Sequence, residues 1–246
     1  MTHTLFESAQ QGTPNRQSLI PTHHMTVDLK KEAAYDQKSV CYFAGARTDF
    51  VDRLPANPNG KLLEIGSGNG DTSQYALETK KCGECYGVEI SKSAAALARE
   101  RGHHVVVGDI EEDDLDFQDG FFDVLIMSEV LEHLVDPWAA LKKLRPFLKK
   151  GAVVMAGSPN VCHHSVIRSL LGGGWQYHPS GVFDETHLRW FGLRDYRNLF
   201  EKSGYRVREV RPAFEIAGKA AVMNRLTFRK FEHLFHKQIF LEAVND

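Results

Sequence analysis

Residues 61–70 constrain the fold of this chain more than any other segment. A short apolar run, 61–65, stops at Gly66, Gly68 and Gly70, and a helical pattern resumes immediately afterwards. Glycine reaches positive φ without a Cβ penalty, and a ligand can then lie against bare backbone. The helix that follows offers its unpaired first-turn amides to the same ligand. A strand, a tight glycine turn and a helix in that order mark the first unit of an α/β sheet.

The remainder repeats the unit. Strands are expected at 84–89, 104–107, 122–128 and 151–157, and helices at 72–80, 94–101, 137–149 and 193–203. Ser91 is placed to cap the helix at 94–101. Asp136-Pro137 opens another, with Asp as cap and Pro at the first position. The run Val124-Leu-Ile-Met127 is wholly apolar, as expected of a strand covered on both faces. Such alternation implies parallel βαβ units with right-handed crossovers. Residues 205–210 and 238–244 also read as strands, separated by an apparent helix over 225–235. Upstream, residues 1–30 form a polar arm without periodicity, and 31–55 one or two covering helices that stop at Pro55. Residues 31–246 are expected to form one domain.

Composition sets limits on function. The chain has 246 residues, 42% hydrophobic and 25% charged, with a formal net charge of −2. Those are globular values that fit one sizeable core. The charge argues against a dedicated nucleic-acid binder. The polar N-terminus has no apolar core of a secretion signal, and no apolar run is long enough for a membrane span. A cytoplasmic protein without integral membrane association is the expectation. Cys82 and Cys85 form a C-x-x-C without a second pair, read as free thiols in a surface turn. The histidine pairs 23–24, 103–104 and 163–164 have no coherent ligand spacing, so no metal is expected.

Alone, a G-x-G-x-G turn is a weak signal, because dinucleotide enzymes use a similar one. Three acids sharpen it. Glu64, at the end of the first strand, would repel a pyrophosphate but could hold an ammonium group. Glu89 closes the second strand, where an acidic side chain can accept from both hydroxyls of a ribose. Asp109 follows the third and can accept from the exocyclic amine of adenine while Ile110 packs on the ring. Together they describe a pocket for an adenosine bearing a cationic amino-acid tail.

On these residues the stretch from about Tyr42 to Tyr205 resembles the class I S-adenosylmethionine-dependent methyltransferases, of the ubiquinone, methionine-biosynthesis and polysaccharide-cluster type. The matching segments are LLEIGSGNG, YGVEIS, GDIEE, FFDVLIMSEVLEHLVDP, Ser158-Pro159-Asn160 and DETHLRWF. The resemblance implies a Rossmann-like, mostly parallel seven-stranded sheet of order 3-2-1-4-5-7-6, strand 7 antiparallel, with helices on both faces. It implies S-adenosyl-L-methionine as cofactor, its methionine tail near Glu64, Gly66, Ser67 and Gly68. Its ribose falls at Glu89 with Ile90 following, its adenine at Asp109 and Ile110, and its sulfonium beside Ser128 and Glu129. Ser67 stands where many relatives carry cysteine. Tyr42 and Arg47 resemble a segment that covers the cofactor. Arg47 would meet the methionine carboxylate or stand as an exposed helical arginine.

Methyl transfer from a sulfonium is an in-line displacement, so the protein must align the reactants in a dry pocket. A general base is needed where the acceptor holds a proton. His133, just beyond the fourth strand, and His187, which Asp184 could orient, are the candidates; His133 could instead only shape its loop, and His187 be a buried imidazole satisfied by hydrogen bonds. Asn160 either caps a helix over 161–171 or lines the acceptor site. Trp175 and Tyr177, in a glycine-rich lid within the cover 161–192, either face the acceptor or fold onto the core. The basic amphipathic stretch 225–237 is expected to pack on the sheet rather than touch a membrane. The functional expectation is O-methylation of a small molecule such as a sugar, a glycan precursor or a secondary metabolite, by a monomer or homodimer. Quinone- or carboxylate-type O-methylation and a non-catalytic cofactor-binding partner subunit remain open. A nicotinamide oxidoreductase is disfavoured by Glu64 and by the lack of a G-x-G-x-x-G.

Overall fold

Strand burial explains the architecture. In the computed structural model, which describes residues 44–213, 218–226 and 230–246, successive residues of the central strands enter two different cores. Leu63, Ile65, Leu125, Met127 and Val154 belong to one cluster, and Leu62, Val124, Ile126 and Met155 to the other. Side chains alternate across a strand, so a strand apolar at every position must be covered on both faces. Each fully buried aliphatic side chain contributes about 1.5–3 kcal/mol, which makes both helical layers obligatory.

The strands are β1 (Lys61–Ile65), β2 (Glu84–Glu89), β3 (His104–Val107), β4 (Phe122–Ser128), β5 (Leu148–Pro159), β6 (Tyr205–Pro212) and β7 (Gln238–Asn245). They form one sheet of order β3-β2-β1-β4-β5-β7-β6. The first five run parallel, and β7 lies antiparallel between β5 and β6. The helices are α1 (Thr48–Val51), α2 (Asp71–Glu78), α3 (Lys92–Glu100), α4 (Pro137–Leu144), α5 (His164–Leu171), α6 (Leu193–Lys202) and α7 (Gly218–Leu226). The caps at Ser91 and Asp136 form, accepting from the Ala94 and Ala139 amides. Among the described residues no helix is long and apolar enough to cross a membrane.

Sheet order positions the site. From β1 the chain winds outward to β2 and β3, then returns to the other side of β1 as β4. Beyond the carboxyl ends of β1 and β4 the connections diverge, leaving a crevice where α/β sheets bind ligands.

Several expectations are corrected. The helix expected over 137–149 ends at Leu144, and Arg145–Phe147 form a 3-10 turn leading directly into β5. Pro146 is the cause: it lacks an amide hydrogen and disfavours helical geometry at the residue before it. Cys82 and Cys85 are not in a surface turn. They are 2% and 3% exposed, with sulfurs 3.2 Å apart, because Cys85 faces inward from β2 into the cluster of Leu62 and Ala76. The helix after β5 starts at His164, capped by the His163 ring. Residues 225–235 are not one helix: α7 is described to Leu226, and among the described residues that follow, 230 and 231 are turn and Glu232–Leu234 a 3-10 turn. There Asn160 holds the carbonyls of His233, His236 and Lys237, leaving them unavailable to a helical ladder. The arm 1–30, Tyr42 and most of the cover at 31–55 lie outside the described residues, as does Phe228.

Candidate active site

The crevice holds a cavity of about 570 Å³. Its floor is the β1 turn, where Gly66, Gly68 and Gly70 adopt φ of 69°, 51° and 79°. At Gly66 a Cβ would also lie 2.7 Å from Val130 Cγ2. Gly66→Ala is therefore expected to cost about 1–3 kcal/mol from left-handed strain and overpacking. Thermal denaturation would show this as a lowered Tm, and an unchanged Tm would mean that the turn relaxes freely.

Eleven of the residues expected at the cofactor line this cavity together: Arg47, Glu64, Gly66, Ser67, Gly68, Glu89, Ile90, Asp109, Ile110, Ser128 and Glu129. The Glu89 carboxylate accepts from the amides of Gly68 (2.7 Å) and Ser91 (2.9 Å), tying the glycine turn to the end of β2. Asp109 accepts from the Glu111 amide at 2.9 Å, which turns the chain back under Ile110. Glu64 accepts from the Ser73 hydroxyl at 2.7 Å. Burial pushes the Glu64 carboxyl up to about 7, helped by the charge of Glu89 and opposed by hydrogen bonds from Ser73 and Thr72. Ser73 and Thr72 escaped the sequence reading; hydroxyls in the first turn after the glycines were the signal available.

Arg47 is not an exposed helical arginine. Its guanidinium pairs with both oxygens of Asp49 at 2.9 Å, donates to Ser128 Oγ at 2.5 Å, and lies over the Phe50 ring. It is the one lysine or arginine among the described lining residues, against the carboxyls of Glu64, Asp71, Glu89, Asp109, Glu129 and Asp184. The lining thus favours a cationic ligand, and its glycine floor leaves room for one to lie on backbone. Those are the properties of an adenosyl sulfonium carrying an amino acid, so the residues present fit S-adenosylmethionine.

The opposite wall comes from the loop after β4 and the segment before α6. Here His133 and His187 meet edge to face, with ring centroids 4.7 Å apart. His133 Nδ1 lies 3.3 Å from the Thr186 carbonyl oxygen and 3.1 Å from its hydroxyl, which itself donates to Asp184 Oδ1 at 2.7 Å. The amides of Leu188 and Arg189 both donate to the Glu132 carbonyl at 2.8 and 2.9 Å. Asp184 and His187 line the cavity.

The other acceptor-side candidates are placed elsewhere. Asn160 neither caps α5 nor lines the cavity: buried, it donates to the carbonyls of His233 and His236 and accepts from the Cys162 amide. Trp175 packs edge-on against Phe183 and Trp190. Tyr177 is 60% exposed, away from the cavity. Beneath the histidines is a group the sequence reading did not single out. Glu132 is 1% exposed. Among the described residues neither of its carboxylate oxygens has a partner in full hydrogen-bond geometry, nor do Ser158 Oγ and the Tyr196 hydroxyl, although the Ser158 hydroxyl is near enough to favour the carboxylate. Burial, then the charge of Glu129, holds the Glu132 carboxyl well above the usual carboxylate range. Burial likewise brings Glu129 up to about 7, with Arg47 opposing.

A family described as methyltransferase domain matches residues 35–210. The chain belongs to the class I S-adenosylmethionine-dependent methyltransferases. A putative methyltransferase, 235L, of invertebrate iridescent virus 6 is 21% identical over 90% of this chain and 86% of its own length. The ubiquinone/menaquinone biosynthesis C-methyltransferase UbiE of Burkholderia mallei is 31% identical over 63% of this chain and 65% of its own. Matches to uncharacterised proteins of Streptomyces fradiae and Methanocaldococcus jannaschii span 33% and 45% of those relatives' lengths. Among solved structures, a putative methyltransferase in complex with the Trm112 activator of Haloferax volcanii superposes with a TM-score of 0.58 at 18% identity, covering 90% of this chain and 96% of that one. This likeness supports the fold. The class I family uses S-adenosylmethionine, and the glycine-floored acidic crevice is where this chain's residues fit that cofactor.

Proposed function

We propose that this methyltransferase methylates an oxygen atom of a small hydroxylated molecule, of the kind found in sugars, glycan precursors and secondary metabolites. The observation that carries the reading is the meeting of His133 and His187 in the wall of the cofactor cavity, from segments far apart in sequence. Bound S-adenosylmethionine supplies an activated methyl group. The chain holds the amino-acid end at Glu64 and the glycine turn, the ribose at Glu89 and the adenine against Asp109 and Ile110. A hydroxyl acceptor must lose a proton, and the two imidazoles are the groups that act on it. A cavity of about 570 Å³ is within the range of small-molecule sites, and the cover contributes polar groups, Asp184 and Thr186, beside the histidines.

The test is incubation with methyl-deuterated S-adenosylmethionine and panels of hydroxylated, amine and carbon acceptors, read by mass spectrometry. A labelled methyl on oxygen supports the reading. Turnover confined to amine or carbon acceptors overturns the choice of oxygen.

Cofactor binding should also depend on pH through Glu64. The groups facing its carboxyl are Ser73 and Thr72 of α2, Glu89 of β2, and the Cys82 and Cys85 thiols. Its value near 7 leaves it largely protonated in mildly acidic solution, whereas a cationic ligand requires the carboxylate. Affinity is expected to fall roughly tenfold from pH 7.5 to 6, with proton release on binding, and to fall again above about pH 8 as the ligand's α-amino group loses its charge. Calorimetry in buffers of different ionisation enthalpy measures the released proton. Glu64→Gln should bind more weakly and without that slope; an identical slope in the variant would remove Glu64 from the ammonium site.

A further inference from the structure

Glu132, His133 and His187 each place one donor atom so that all three lie within 4.8 Å of one another. Two features make this more than a cluster of titratable groups. The Glu132 carboxylate is buried, and among the described residues neither oxygen is bonded in full hydrogen-bond geometry; the Ser158 hydroxyl nearby is the one side chain that eases its charge by hydrogen bonding. An unaccompanied buried carboxylate is strongly disfavoured, and folded proteins pair such groups or use them to coordinate metals. The nearby cation does not serve: Arg47 is committed to Asp49 and Ser128.

The second feature is the orientation of His133. The Thr186 carbonyl can only accept, so an Nδ1 bonded to it carries the hydrogen, which in the neutral ring makes Nε2 the nitrogen with the lone pair. Metal-binding histidines are held this way, with the other ring nitrogen bonded to a carbonyl or carboxylate that fixes tautomer and angle. Asp184, bonded to the Thr186 hydroxyl and amide, steadies that partner in turn.

We propose that Glu132, His133 and His187 bind a divalent first-row transition-metal ion, of the zinc or iron(II) class, with coordination positions open towards the acceptor side of the cavity. Two imidazoles and one carboxylate are a donor set for such ions. Bonds of about 2.0–2.2 Å would draw the three side chains together by small rotations. Resting on the oxygen-methylation reading, the ion's role is to lower the pKa of an acceptor hydroxyl bound to it. The O–H bond then breaks with its proton passing to water. The oxygen forms a bond to the methyl carbon, and the carbon–sulfur bond breaks with its electron pair left on sulfur. In this form the histidines are ligands that act on the hydroxyl through the ion.

No sign of the site is legible in the chain order, because its ligands lie in two separated segments and only neighbouring histidine pairs suggest a spacing. The experiment uses the untagged full chain, stripped with a chelator and titrated with Co²⁺ alone. Absorption in the visible and elemental analysis after dialysis report the bound ion. Wild type is expected to bind Co²⁺ stoichiometrically, displaceable by Zn²⁺. Glu132→Gln and His187→Ala should each weaken binding by about ten- to a hundredfold, while S-adenosylmethionine affinity, measured by calorimetry, shows that the cofactor pocket is intact. Absence of Co²⁺ binding by wild type overturns the site, and so does binding that survives in His187→Ala. Because this readout needs no acceptor, failure of the metal site and failure of oxygen methylation are distinguishable. Stoichiometric binding with methylation equally fast in the stripped enzyme keeps the site and overturns its role on the hydroxyl.

Discussion

Glu89→Ala is expected to weaken S-adenosylmethionine binding by about a hundredfold, more than any other single change at the cofactor end. Ionised hydrogen bonds contribute about 1.5–3 kcal/mol each, and a ribose diol would make two with this carboxylate. A carboxylate has room for about four such bonds. Two of them come from the amides of Gly68 and Ser91, so the same carboxylate serves the turn as well as the ligand. Alanine therefore removes the ribose contacts and also strands two amides, at about 1–3 kcal/mol for each that remains buried. The glycine turn then loses the tie that keeps it under the ligand. Calorimetry with the cofactor and thermal denaturation of the free protein separate these losses: both affinity and Tm should fall. Glu89→Gln, which keeps an acceptor, should lie between. Unchanged affinity in the alanine variant would sink the ribose assignment.

The second large effect concerns turnover. His133→Ala and His187→Ala are each expected to lower kcat by about a hundredfold or more, the range for a group that handles a proton at the reacting centre. Cofactor affinity should stay near wild type, because neither ring contributes to the glycine floor. The double variant should cost little beyond the worse single one, since groups acting as a unit are strongly non-additive. Full turnover in either single variant would remove that histidine from the chemistry.

Local signals accounted for much of the fold. The glycines, the Ser91 and Asp136 caps and the unbroken apolar run of β4 each depend on residues close in sequence, and each formed where expected. The resemblance supplied the order of the sheet. The acids at the ends of β1, β2 and β3 were also readable, because a strand end is a local position and parallel strands bring their ends to one edge. What failed depended on distant partners. Nothing near Asn160 says that its amide will hold carbonyls of the His233–Lys237 stretch, so a cap was the natural expectation. Cys82 and Cys85 follow two lysines, a local pattern of exposure, but β2 turns Cys85 towards α2 and both are buried. Trp175 had an attractive composition for a sugar site, yet Phe183 and Trp190 satisfy it within the cover. Pro146 was visible throughout, and its effect on α4 should have been read.

If His133 and His187 act as proposed, the backbone bonds between the loop after β4 and residues 186–189 make opening and chemical competence exclusive of one another. Any movement that lifts this segment to admit an acceptor must break the Leu188 and Arg189 bonds to the Glu132 carbonyl. It must also carry the Thr186 oxygens away from His133 Nδ1. In the lifted state the ring is released from its fixed tautomer, and His187 has departed with the cover. On the proposed roles of the two histidines, such an opening would disarm the site and closure would arm it, sparing the activated methyl group from whatever solvent or bystander nucleophile enters first.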